Sequence, residues 1–444
     1  MQPYCIIRYP VKKPIKRGRK TRILKKRECF WRKIPFNRTN CSNFTKNYKN
    51  RIINQTHHIM KKFTKGLFGI ALIALALCSC GGEKQQNCTL TESGLNPEKF
   101  VKEFDGKKTA LYTLTNKNGV EVCITNLGGR IASIMVPGKD GVKRDVVLGF
   151  DNVDDYKNIS SDFGACIGRY ANRINQGKIT VEGVEYQLPQ NNYGHCLHGG
   201  FLEGWQYKIF DVEQVTGNKL TLVLNSPDGD ANFPGNVVAK VTYTLTDENA
   251  IDIAYEATTD KTTIINMTNH SYFNLTGDAS KPITDCLLTI NADNYTPVDS
   301  TFMTTGEILP VENTPMDFRT AKEIGKEINN YDFVQLKNGN GYDHNWVLNT
   351  AGDITKVAAK VVCPETGITL EVYTDEPGVQ IYTGNFLDGK VKGKKGIAYP
   401  QRSAICLETQ KYPDTPNKPE WPSAILKPGE KYTSHCIFKF GVEK

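Results

Sequence analysis

Apolar residues at every second position constrain this chain more than any other feature. KITVEGVEYQL (178–188), KLTLVLNS (219–226), KVTYTLTDENAIDIAYEATT (240–259) and KVAAKVVCPETGITLEVYT (356–374) all alternate this way. Successive side chains of a strand point to opposite faces, so the pattern turns one apolar face inward and one polar face outward. Turn signals separate the runs at Glu182-Gly183, Thr216-Gly217-Asn218, Asp247-Glu248-Asn249 and Thr366-Gly367. Neighbouring strands are therefore predicted to pair as hairpins. Many short strands punctuated in this way specify an all-β protein, a large sandwich or a barrel. No composition break falls between 100 and 444, which reads as one domain of a size that all-β folds reach. AKEIGKEINN (321–330) alone has a helical look. No Gly-rich loop follows a strand and opens a helix, so nucleotide binding has no support.

The first 99 residues are of another kind. Residues 1–59 carry 17 Lys and Arg against one acidic residue, a net of +16 in a chain whose total is +9. Residues 60–444 are therefore at −7, and the overall charge does not point to nucleic acid. Residues 1–59 are expected to be sequence upstream of a true start at Met60. From there MKKFTKGLFGIALIALALCSCGG sets Lys61, Lys62 and Lys65 before an apolar run from Leu67 to Leu77. That order is a secretory signal peptide, and the run is shorter than the roughly 20 residues that span a bilayer.

Leu77-Cys78-Ser79-Cys80 resembles a bacterial lipobox, which implies cleavage before Cys80 and lipidation of that cysteine. The expected organisation is a signal over 60–80, a flexible polar spacer over 81–99 and a folded body over 100–444. The body would be exported and held by its lipid anchor, at the outer membrane facing the periplasm. Residues 81–444 have 36 basic and 46 acidic residues, an acidic body on a tether. Eight cysteines follow Cys80 without any C-x-x-C spacing. Most lie in apolar runs and read as small core residues rather than as a disulfide framework.

Five histidines follow Cys80: His195, His198, His270, His344 and His435. The H-x-x-H of His195 and His198 is a poor metal pair, because on a strand or loop the two side chains diverge, and no Cys or carboxylate cluster completes a ligand set. Four segments mix charged residues, glycine and aromatics within the strand pattern: GRYANRINQG (168–177), CLHGG (196–200), TNHSYFNLTG (268–277) and CLETQKYPD (406–414). A strand that buries Ile405 and Leu407 would present Glu408 on its other face. There its environment would set its pKa, and it could act as a base. Taken singly, Glu408 also fits a solvated strand residue, Arg173 a surface ion pair and His270 a hydrogen-bonded core histidine.

Together and in order, the segments resemble the aldose 1-epimerase family. The likeness runs from about residue 100 to the C-terminus through NLGGRI (126–131), GRYANRI (168–174), LHGG (197–200), TNHSYFNL (268–275), GYDHN (341–345), GVQIYTGN (378–385) and LETQKYPDTPNKPEWPSAIL (407–426). It implies a large β-sandwich with an open sugar-binding groove. It implies Glu408 as general base toward the anomeric hydroxyl and His270 as general acid toward the ring oxygen. Asn172, Arg173, His198, Asp343 and Gln380 are implied as sugar-hydroxyl contacts. The implied substrate is a free aldohexose, with no cofactor required. An acidic loop could hold a Ca²⁺, and a monomer is the default.

The segment DGDANFPGN (228–236) departs from the family pattern at Ala231 and Asn232, expected at a groove-edge loop. Rival readings are a sugar-phosphate epimerase, a glycosidase using Glu408 and Asp343, and a sugar-binding lipoprotein without turnover. The sequons at Asn269 and Asn274 are read as hydrogen-bonding support for His270.

Overall fold

The alternating runs assemble into a nine-stranded antiparallel sheet in the computed structural model, which describes residues 89–443. Its order is Asp211–Val215, Lys219–Ser226, Val237–Leu245, Ala250–Thr259, Tyr432–Val442, Ile368–Thr374, Ala359–Val362, Leu287–Ile290 and Lys322–Glu323. The first four are antiparallel in chain order, and the expected turns at 216–218 and 247–249 make two of their three connections. The C-terminal strand inserts between Ala250–Thr259 and Ile368–Thr374 and so joins the two halves of the sheet. On Val237–Leu245, Val237, Ala239, Val241, Tyr243 and Leu245 are buried while the residues between them are exposed or half-buried.

Two smaller sheets share the core of the large one. A four-stranded sheet spans Leu111–Thr115, Glu121–Thr125, Arg130–Pro137 and Lys143–Asp145. It contributes Val122, Ile124, Ile131 and Ile134 to the same apolar cluster as Leu222, Val241 and Ile253. A five-stranded sheet adds Trp346, Val379, Ile381 and Leu407. Each such side chain, fully buried, contributes about 1.5–3 kcal/mol by leaving water. The seven cysteines among the described residues are free and buried, as core residues. This is the nearly all-β layered fold that the alternation specified.

Two expectations are corrected. Residues 321–330 are not helical: Lys322–Glu323 joins the sheet edge beside Leu287–Ile290, and turns follow. Ile324 and Ile328, whose spacing suggested a helix, are both core residues. Among the described residues the α-helices are instead the short Val153–Asn158 and Val334–Gly339. The spacer expected over 81–99 is ordered at its C-terminal end, where Leu95 and Phe100 are buried and Thr91 N–H donates to the Leu95 carbonyl at 3.0 Å. Residues 1–59, the signal and Cys80 lie outside the described residues.

Candidate active site

The five-stranded sheet explains how three polar residues come together inside a protein. Asp343–Val347, Gly378–Tyr382 and Cys406–Gln410 are adjacent antiparallel strands. Register sets Asn345 opposite Gln380 and Gln380 opposite Glu408. All three strands are covered on both sides, yet their sequences alternate. Trp346, Val379, Ile381 and Leu407 face the core. Asp343, Gln380, Tyr382 and Glu408 share the other face; Asp343, Tyr382 and Glu408 line a cavity of about 280 Å³, and Gln380 Nε2 donates to Asp343 Oδ1 at 2.7 Å.

The opposite wall comes from three short pieces. Thr268–His270 pairs with Ala165–Ile167 and ends in His270. Arg173–Ile174 pairs with Cys196–Leu197. Asn172 and His198 flank that pair, both left-handed at φ 62° and 50°, a conformation that non-glycine residues adopt only where the surroundings hold them. They lock reciprocally: Asn172 N–H donates to His198 Nδ1 at 3.1 Å, and His198 N–H donates to the Asn172 carbonyl at 3.1 Å. Gly199, next in chain, has no room for a side chain, since a Cβ there would lie 2.1 Å from the Gly168 carbonyl oxygen.

His270 Nε2 lies 3.4 Å from Glu408 Oε1, with both side chains almost fully buried. The His270 ring stacks on Tyr272 at 5.0 Å and meets the His198 ring edge-on at 5.1 Å. Arg173 donates from Nε to Asn192 Oδ1 at 3.1 Å and lies over the Phe302 ring at 5.0 Å. His270 Nδ1, Glu408 Oε2 and Gln380 Oε1 are buried without a hydrogen-bond partner among the described residues. Buried polar atoms are ordinarily paired, and His270 and Glu408, which carry two of these, also line the cavity.

Residues 110–439 match the family model described as aldose 1-epimerase. The chain belongs to the aldose 1-epimerase family. It is 45% identical over 323 residues to the galactose mutarotase of Rattus norvegicus, covering 73% of this chain and 92% of that protein. The aldose 1-epimerase of Escherichia coli (strain K12) is 39% identical over 342 residues, 76% of this chain and 97% of that one. Among solved structures, a galactose 1-epimerase from Lactobacillus acidophilus is similar at 30% identity and TM-score 0.67, over 77% of this chain and 97% of that one. An aldose epimerase homologue from C. elegans is similar at 29% identity and TM-score 0.70, over 76% and 100%.

In this epimerase, burial works against charge at Glu408, Asp343, His270 and His198. It pushes the Glu408 carboxyl well above its usual range, and the nearby Asp343 and Asp162 add to that while Arg173 opposes it. Burial likewise raises Asp343, against Arg173 and the Gln380 hydrogen bond. It lowers the His270 imidazole, against the Asp162 carboxylate. His198 is driven well down by burial, then by His270 and Arg173. His270 and Glu408 thus face each other at 3.4 Å with burial disfavouring the charged form of each.

Asp162, His198 and His270 bring possible metal-ligating atoms within 4.8 Å of one another. The chemistry of the donors fits a metal poorly. His198 Nδ1 accepts the Asn172 N–H, so neutral His198 carries its hydrogen on Nε2 and offers no free lone pair to a cation.

Of the seven residues expected from sequence, Asn172, Arg173, His198, His270, Asp343 and Glu408 line the cavity, and Gln380 reaches it only through its hydrogen bond to Asp343. His195 turns away, its Nδ1 accepting from Gln176 N–H and its Nε2 meeting Thr301 Oγ1 at 2.9 Å. His344 lies on the core face of its strand and is held down to about 3 by burial. Asn269 and Asn274 are buried, which removes them as glycan acceptors in the folded protein. Asn269 supports His270 indirectly, donating to the Gly164 carbonyl at 3.0 Å. Asn274 instead ties the Asp278, Lys281 and Ser403 carbonyls.

Ala231 and Asn232 do not line the cavity: Ala231 packs with Tyr170 and Ile174, and Asn232 donates to the Gln187 carbonyl. Sequence reading missed Asp162, which lines the cavity, and Arg130, which is fully buried behind it.

Proposed function

We propose that this chain interconverts the α and β anomers of free aldohexoses such as glucose and galactose, with His270 and Glu408 as the acid–base pair. The 3.4 Å approach of these two side chains in a polar cavity carries the reading. Glu408 takes the proton from the anomeric hydroxyl while His270 gives one to the ring oxygen. The bond between C1 and the ring oxygen breaks, and its electron pair goes to that oxygen. The open aldehyde turns about C1–C2, and closure on the other face returns both protons. Positioned groups of this kind give about 10²–10⁴-fold each, and the reaction carries no electron or phosphoryl group.

Asn172, Arg173, His198, Asp343 and Gln380 are assigned to the sugar hydroxyls. A free sugar is favoured over a sugar phosphate because the cavity's one arginine, Arg173, is matched by Asp162, Asp343 and Glu408. A glycosidase would use two carboxyls, one of them protonated as the acid, and His270 then has no task. Signal, lipidation at Cys80 and periplasmic location are part of the same proposal, supported by the sequence from Met60 to Cys80, and so is a monomer. The test is polarimetry on anomerically pure α-D-glucose and α-D-galactose with purified protein. Acceleration over buffer supports the activity, and none would sink it.

A further inference from the structure

We propose that Asp162 is a positioning residue of the acid–base pair, drawing the proton shared by His270 and Glu408 onto His270. The inference rests on the epimerase reading above and names a residue outside the seven assigned there. The Asp162 carboxylate lies within 4.8 Å of ring nitrogens of both His198 and His270 and forms part of the cavity wall.

Its place is built rather than incidental. Asp162 sits in the loop between Val153–Asn158 and Ala165–Ile167. Arg130, wholly buried, grips both neighbours, with Nη1 donating to the Phe163 carbonyl at 2.9 Å and Nη2 to the Ser161 carbonyl at 3.0 Å. Gly164 N–H donates to the His270 carbonyl at 3.0 Å, and Ala165 N–H donates to the Asp162 carbonyl at 3.0 Å. The loop is therefore bonded to the very residue whose proton it would hold.

The charged and titratable groups around His270 leave that task to Asp162. Glu408 faces it from Cys406–Gln410, His198 from the segment after Cys196–Leu197, and Tyr272 and Tyr382 border the ring. Arg130, from the neighbouring sheet, disfavours the imidazolium, and Asp162 favours it. Beyond burial, Glu408 in turn is acted on first by Asp343, then by Asp162, both raising it, with Arg173 opposing. Burial alone would leave the shared proton on the carboxyl, the arrangement in which the acid and base roles are exchanged. Asp162 raises both groups, but it is the leading charge on His270, within 4.8 Å of its ring, and second to Asp343 on Glu408, so its balance favours protonated His270 with ionised Glu408, which is the reactive form.

The experiment compares wild type, Asp162→Asn and Asp162→Glu in the full chain. Asp162→Asn is expected to lower kcat about tenfold and to move both limbs of the pH–rate profile toward acid by about one unit. Both limbs move the same way because loss of a negative charge lets Glu408 ionise, and His270 deprotonate, at lower pH. Asp162→Glu is expected to restore the profile. A second readout does not need turnover: the imidazole NMR titration of His270, assigned by its loss in His270→Gln, should shift down in Asp162→Asn. Superposable titrations would overturn the proposal, as would a rate loss with an unmoved profile. Absence of mutarotation in the wild type, with the His270 titration still shifted, would instead overturn the activity and leave the electrostatic coupling standing.

Discussion

Gln380 stands directly across from Glu408 on the neighbouring strand, and its amide donates to Asp343 Oδ1 at 2.7 Å. One glutamine thus spaces two buried carboxyls that would otherwise repel. The pair of carboxyls and the pair formed by Glu408 with His270 are two parts of one electrostatic unit, and each can be perturbed separately.

Glu408→Gln keeps the side-chain shape and removes the base. Turnover is expected to fall by about 10²–10⁴-fold, while calorimetry still detects galactose or glucose binding. Near-normal turnover in this variant would show that the proton leaves by another group.

The same substitution should stabilise the fold at neutral pH. Glu408 is held well above its ordinary value by burial, with Asp343 and Asp162 adding to that. A group raised in the folded state is cost-free below its unfolded pKa and becomes a liability as pH rises past it, because the unfolded chain ionises more readily. Glu408→Gln is therefore expected to gain on the order of 1 kcal/mol or more at pH 7.5 and nothing at pH below the ordinary glutamate value of 4.5. Melting curves at the two pH values decide it.

Asp343→Asn should separate binding from proton transfer. The ring-hydroxyl acceptor is weakened, so KM is expected to rise about 10- to 100-fold, the usual effect of losing one charged hydrogen bond of about 1.5–3 kcal/mol. Removing the charge beside Glu408 also moves the acid limb of the pH profile to lower pH. Progress curves across pH measure both effects, and an unmoved limb would mean that Asp343 does not sense the base.

Arg130→Met tests the support of the Asp162 loop. It would leave the Phe163 and Gln206 carbonyls without their donor and the Ser161 carbonyl with only the Tyr207 hydroxyl at 3.4 Å. The expected loss is about 3 kcal/mol or more, read as a lower midpoint in urea. An unchanged midpoint would show that the loop is held by its other bonds.

The fold and most of the site were legible because both follow from short-range patterns. Period two marked the hairpins, and a polar residue in an apolar frame marked Glu408, while Asp343 and Gln380 came only through the family resemblance. What escaped depended on contacts across the chain. Asp162 lies in SSDFG, a run that reads as a solvated turn, and its partners are reached only when Ala165–Ile167 pairs with Thr268–His270. Ile324 and Ile328 misled for the same reason: spacing of four is helical in isolation, yet here both side chains are drawn into the core from turns.

The strand Cys406–Gln410 is one residue thick between the core and the cleft, with Leu407 on one side and Glu408 on the other. The rate of this enzyme can therefore be tuned from behind. Trimming Leu407 to valine would alter no cleft surface, yet it would loosen the backbone that aims the base. Activity would then report the mechanical firmness of the interior, failing on warming before the protein as a whole unfolds.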